Sequence, residues 1–244
     1  MTGIVLQARL DSSRLPGKAL LPLGGKPAIF RVMEALKHVP SELRIIACPE
    51  DSFSVLKPLA DDAGFHILAG PKDDVLERYC RVIRHFSLSR VIRATGDNPF
   101  VFADAAAALN AEAAALNADY AGYAGLPYGA GVESVSAAAL LKASEETDSA
   151  YDREHVCPYL YNNPEKFKIH RPTAPEQWKD SEQLTVNSEK EKGMREMRVT
   201  IDTIEDYENA VKLYDALNDE PQRYFGAAII RVYSRLSAEK PRSI

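Results

Sequence analysis

The sequence predicts an α/β protein built on a doubly wound, mainly parallel sheet, and three observations carry that prediction. Apolar runs of strand length alternate with segments of helical periodicity from the first residues onward. The first four such runs each stop at a polar, glycine or proline signal, namely Gln7, Pro49, Gly70 and the pair Thr95 and Gly96. A chain of 244 residues, 45% hydrophobic and 27% charged, can also bury one large core.

Taken in order, residues 4–6 read as a short buried strand, and after a polar loop Ile29, Val32, Met33 and Leu36 recur on one helical face. Residues 43–48 form a second strand. DSFSVLKPLADDAG fits a helix with Asp51 or Ser52 as cap and Gly64 as stop, and Pro58 is expected to kink or shorten it. Residues 65–69 are a third strand. From Asp73, DDVLERYCRVIRHF places Val75, Tyr79, Val82 and Phe86 on one stripe, with two aspartates at the positive end of the helix dipole. Residues 90–94 are the fourth strand, followed by TGDNP.

The alanine-rich FADAAAALNAEAAALN is helical by propensity, and DYAGYAGLPYGAGVESVS reads as two short extended pieces. DREHVCPYLYNN, from Asp152, is read as a helix despite Pro158. FKIHRP is strand-like, and the polar QWKDSEQLTVNSEKEKGMRE is an excursion. Residues 197–201 return as an apolar strand ending on Asp202. EDYENAVKLYDALN carries Tyr207, Val211, Tyr214 and Leu217 on one face, and a last amphipathic helix covers 222–236.

Charge and cysteine usage narrow the function classes. A net charge of -5 argues against a general binder of nucleic acid or of membrane surfaces. Cys48, Cys80 and Cys157 lie far apart with no CxxC pair, which reads as reduced thiols and a cytoplasmic protein. No apolar run approaches the roughly 20 residues that span a bilayer.

The stretch QARLDSSRLPGKAL interrupts this pattern. It leaves the first strand with two arginines, two serines and a lysine, donors suited to a polyanion such as a triphosphate. Lys18 is followed by Ala19 and the leading glycine is missing, so it is no P-loop, and GxGxxG is absent as well. The competing reading is a solvated surface loop. Two acidic strand ends, Asp97 and Asp202, project to the same sheet edge in a doubly wound fold, and hard oxygen ligands suit magnesium. The competing reading makes Asp97 a turn residue and Asp202 a helix cap through the spacing of DTIE.

Five segments, ARLDSSRLPGKAL, GPKDDVLERY, RATGDNPF, EHVCPYLY and VTIDTIEDY, occur in the order seen in a known family. In these the chain resembles the acylneuraminate and 3-deoxy-manno-octulosonate cytidylyltransferases, and within them the branch of spore-coat polysaccharide biosynthesis. The resemblance implies a nucleotide-diphospho-sugar transferase-like, Rossmann-like fold over a single domain, 1–244, with an acceptor or dimerisation excursion around 120–196. It also implies that an acceptor oxygen attacks the α-phosphate of magnesium CTP and pyrophosphate leaves.

Carried onto this chain, the resemblance gives Lys18, Arg9 and Arg14 catalytic roles. Ala8, Arg9, Ser13, Arg14, Gly17 and Lys18 would hold the triphosphate, with Asp73 or Asp74 by the base and Arg93, Thr95 and Gly96 near the nucleoside. Asp97 and Asp202 would bind Mg2+. Glu133, Arg153, Glu154 and His155 are the candidates for a small anionic acceptor, or else cap and pair near a helix start. A cytoplasmic homodimer, without nucleic acid or membrane partners, completes the expectation. Cys157 departs from the threonine common in the branch, and residues 129–134 match the acceptor segment only loosely. The alternatives are a glycosyltransferase of the same fold, which would need a DxD motif, and an idle nucleotide-binding module.

Overall fold

The computed structural model describes residues 1–179, 197–218, 220 and 222–238. Strand β1, Thr2–Gln7, is buried along its middle on both faces. Its loop ends in a single 3-10 turn, Lys18–Leu20, and the short hairpin β2, Pro22–Leu23, and β3, Lys26–Pro27. Helix α1, Ala28–Leu36, leads to β4, Leu43–Pro49. Helix α2, Glu50–Ala63, continues past Pro58, which is exposed, so the proline does not shorten it. Gly64, at φ 72°, stops it as expected, whereas the N-cap position is Pro49.

Next come β5, His66–Gly70, and α3, Val75–Phe86, which Asp74 caps by accepting from the Glu77 amide. Strand β6, Arg90–Thr95, and helix α4, Ala103–Ala115, complete the regular alternation. The two extended pieces are β7, Tyr120–Ala121, and β8, Glu133–Ser136. Helix α5, Ala137–Glu146, follows and was not anticipated. The helix expected from Asp152 is two helices, α6, Ala150–His155, and α7, Pro158–Tyr161, because Pro158 starts a new first turn instead of sitting inside one. Strand β9, Ile169–His170, and a 3-10 turn, Glu176–Trp178, precede α8, Ile204–Leu217, and α9, Gly226–Ala238. Most of the predicted polar excursion, residues 180–196, lies outside the described residues.

The main sheet has the order β5-β4-β1-β6-β8-β7-β9. Pairing is parallel from β5 through β6, and β8 runs antiparallel to both β6 and β7. The chain leaves β1 toward β4 on one side and returns to β6 on the other, so the switch point lies between β1 and β6. One face packs Ile4 and Leu6 against α1, α2 and α4, and the other packs Val5 and Ile45 against Leu76, Tyr79, Leu140 and Leu160. A third cluster joins Met197, Val199 and Ile201 to Leu213 and Ile229.

Residues 197–201 are extended and alternately packed, yet they do not form the predicted strand. Their backbone bonds loops instead: Tyr128 N donates to Met197 O, Val199 N to Tyr128 O, and Ile201 N to Asp97 O. Apolar alternation reports burial of one face, and that burial here is against helices, not within the sheet.

Candidate active site

The loop after β1 closes when the Gly17 amide donates to Leu10 O at 3.2 Å, with Gly17 in the left-handed region at φ 69°. Buried Ala19 then anchors the 3-10 turn and leaves Lys18 directed inward over the sheet edge. At the end of β6 the Gly96 amide donates to Gln7 O at 2.9 Å. A Cβ at Gly96 would meet Ala8 Cβ and Gln7 O at 3.2 Å, so the turn sits directly on the end of β1. Asn98 Nδ2 donates to Thr95 Oγ1 at 2.7 Å and holds the turn that presents Asp97.

Asp202 arrives from the far end of the chain and is tied to Asp97 through the backbone. Ile201 N donates to Asp97 O at 2.8 Å, and Thr200 Oγ1 to the same carbonyl at 3.3 Å. The cap of α8 is Thr203, in a capping box with Asp206, so Asp202 does not serve the capping role its spacing also allowed. Its carboxylate faces the cleft.

There Lys18 Nζ donates to Asp97 Oδ2 and Asp202 Oδ1, both at 2.7 Å. Arg14 Nη2 lies 3.0 Å from Asp202 Oδ1, and Arg198 Nη2 donates to Asp202 Oδ2. Burial works to raise the Asp202 carboxyl, but the hydrogen bond and charge of Lys18, with Arg14 and Arg198, outweigh it and hold the group below its ordinary value. Two carboxylates thus converge on one cationic point. That fits a divalent cation held by two carboxylates with substrate phosphates and water, and among the described residues no cluster of three or more acidic, His or Cys ligands is assembled.

The cleft around this point has two halves. Arg9, Ser13, Arg14, Lys18, Arg78 and Gly96 line one, with Ala8, Glu154 and His155. Asn98, Tyr120, Tyr123, Tyr128 and Glu133 line the other. Arg14, Arg93, Thr95, Asp97, His155 and Asp202 border both, so the halves meet at the carboxylate pair. Gly17, Asp73, Asp74 and Arg153 lie outside the lining: Gly17 shapes the loop, Asp73 is exposed, and Asp74 and Arg153 pair with each other at 2.7 Å.

In the second half, Glu133 accepts from Arg93 Nη1 and from Tyr120 OH, the latter at 2.8 Å. Burial, with the neighbouring Glu133 charge, pushes the Cys157 thiol well up, so it stays a neutral packing group.

Arg78 was not singled out from the sequence. It is 3% exposed, and its Nε and Nη1 have no hydrogen-bond partner. Burial lowers its pKa. In DDVLERYCRV it looks like one of several helix-surface arginines, and nothing in the sequence sets it apart. A buried guanidinium with open donors beside a cleft is a ready anion or carbonyl contact.

Comparison with known proteins identifies the family. Over 229 residues the chain is 30% identical to the spore coat polysaccharide biosynthesis protein SpsF of Bacillus subtilis, covering 89% of this chain and 88% of that one. It is 32% identical over 104 residues to the 3-deoxy-manno-octulosonate cytidylyltransferase of Aeromonas hydrophila, covering 40% and 41% of the two chains. A solved cytidylyltransferase from Leptospira borgpetersenii superposes with a TM-score of 0.82 at 24% identity, over 100% of this chain and 99% of that one. Residues 3–229 match the cytidylyltransferase family, and the chain therefore belongs to that family of nucleotidyltransferases.

Proposed function

We propose that the protein transfers CMP from CTP to a small anionic acceptor such as an acidic sugar, releasing pyrophosphate, in surface polysaccharide or glycoconjugate synthesis. The observation that carries the reading is the position of Lys18 between Asp97 and Asp202, at the seam of the two halves of the cleft.

In this reading the triphosphate lies along the β1 loop. Arg9, Ser13 and Arg14 hold its oxygens, and the base end reaches toward Arg78 and the start of α3. Asp97 and Asp202 would hold Mg2+, whose charge offsets that of the phosphates. Lys18 exchanges its carboxylate partners for phosphate oxygen and neutralises charge as the bond to pyrophosphate breaks. The acceptor occupies the half lined by Tyr120, Tyr123 and Glu133, with its attacking oxygen at the seam and His155 alongside. Arg14, bordering both halves, supplies positive charge toward it. The fixed loop and turn hold the reactants in line, which replaces entropy lost in free encounter. As the resemblance implies, the working unit is a homodimer in the cytoplasm.

Incubation with each nucleoside triphosphate and a panel of acceptors, measuring pyrophosphate, tests the proposal. Release at least about tenfold faster with CTP than with UTP is expected, because a site matched to one pyrimidine edge leaves polar groups unpaired against the other. Comparable rates with UTP and glucose 1-phosphate would overturn it in favour of a sugar pyrophosphorylase.

A further inference from the structure

Arg153 does not line the cleft, yet its guanidinium is held on every side. Nε and Nη2 both lie 2.7 Å from Asp74 Oδ2. Nη1 donates to Thr147 O at 2.8 Å and Ser144 O at 3.2 Å, at the C-terminal end of α5. Asp74 uses its other oxygen to cap α3, accepting from Glu77 N at 2.9 Å. One side chain therefore joins the start of α3, the end of α5 and the body of α6. The two residues that follow it, Glu154 and His155, do line the cleft.

The chain beyond them is held with equal firmness. Val156 has φ 74° and ψ -56°, and Cys157 N donates to His155 O at 2.9 Å. This is the strained form of the γ-turn, and a β-branched residue rarely adopts it. Val156 is fully buried in the cluster of Leu76, Leu140 and Leu160, which keeps it there. Glu154 and His155 thus stand between an ion-pair clamp and a strained turn.

We propose that Arg153, through Asp74, is a positioning residue for group transfer: it fixes Glu154 and His155 in the cleft and couples their placement to the helix at the nucleotide side. The inference rests on reading the cleft as a site of cytidylyl transfer. Arg153 itself touches neither reactant.

Three variants test it: Arg153→Gln, Asp74→Asn and the double. Asparagine caps a helix as well as aspartate, so Asp74→Asn removes the ion pair and keeps the cap. The measurements are amide exchange at Arg153, Val156 and Cys157, CTP affinity by calorimetry, melting temperature, and kcat with 3-deoxy-manno-octulosonate or N-acetylneuraminate. For both single variants exchange is expected about tenfold faster and kcat about tenfold lower, with CTP affinity within about twofold and the double no worse than either single. Unchanged exchange and kcat would overturn the proposal, as would additive losses in the double. A joint fall of kcat, CTP affinity and melting temperature would overturn it too, by making the pair merely structural. If the wild type releases no pyrophosphate with CTP and any acceptor of the panel, the functional reading fails, and exchange alone then decides the clamp: faster supports it and unchanged rejects it.

Discussion

Lys18 and Asp202, 184 positions apart, meet at 2.7 Å. Asp202 is the more buried partner, with a side chain 8% exposed and three cationic neighbours, whereas the Asp97 side chain is 29% exposed. The two carboxylates therefore share a site but not an energetic setting.

Asp97→Asn and Asp202→Asn are both expected to abolish metal-dependent pyrophosphate release. Their stabilities should differ. Asp202→Asn leaves Lys18, Arg14 and Arg198 short of a counter-charge and is expected to cost about 2 kcal/mol, while Asp97→Asn costs about 1 kcal/mol or less. Thermal melts beside activity assays separate the two, and full activity in melted-like-parent Asp202→Asn would remove Asp202 from the metal pair.

Lys18→Met is expected to lower kcat by about 3 kcal/mol of transition-state stabilisation while changing CTP affinity far less. The same variant removes the ammonium from between the carboxylates, so Mn2+ binding without nucleotide, followed by electron paramagnetic resonance, should tighten. A raised KM for CTP with unchanged kcat would make Lys18 a binding residue only.

Arg78→Met is expected to act in opposite directions on stability and function. Replacing a buried guanidinium that has two unpartnered nitrogens with an apolar side chain of similar length should leave melting unchanged or raise it. CTP affinity, by calorimetry, should fall about tenfold, the loss expected when a charged hydrogen bond is removed. A destabilised variant with normal affinity would show that Arg78 is a packing residue.

Acid stability follows from Asp202 and Asp11. Lys72, by hydrogen bond and charge, lowers the Asp11 carboxyl against the opposing effect of burial, as the cations around Lys18 do for Asp202. Unfolded aspartate takes up its proton near pH 3.9, before these folded groups do. Their stabilisation is thus fully present above that pH and is lost as pH falls through the folded values. Urea titrations below pH 4 should show a smaller loss in Asp202→Asn than in the parent.

The first half of the fold was legible because β1 and β4 are buried on both faces and α1 and α3 carry clear apolar stripes. Helix α5 was not, since AAALLKASEE follows a strand without a break and Ser136, which caps the helix, is also the strand's last residue. The stretch at 197–201 misled because alternation does not say what lies opposite. Within the site, residues drawn from the loop and the strand ends meet in one cleft, since loop chemistry shows in composition. Arg78 and the Asp74 and Arg153 pair did not show their roles, because a charge on a helix looks solvated until its tertiary neighbours are known.

The stitch between Asp97 O and Ile201 N has a consequence for how the protein acquires competence during synthesis. The β1 loop and the turn after β6 can assemble as soon as the parallel strands pair, before α8 has left the ribosome. The carboxylate pair closes only when the segment around residue 201 returns across the sheet, a contact of high sequence separation that forms late. In the proposed reading a nascent chain would meet nucleotide with half of its acidic pair missing, and cytidylyl transfer would wait until nearly all of the sheet and flanking helices are in place.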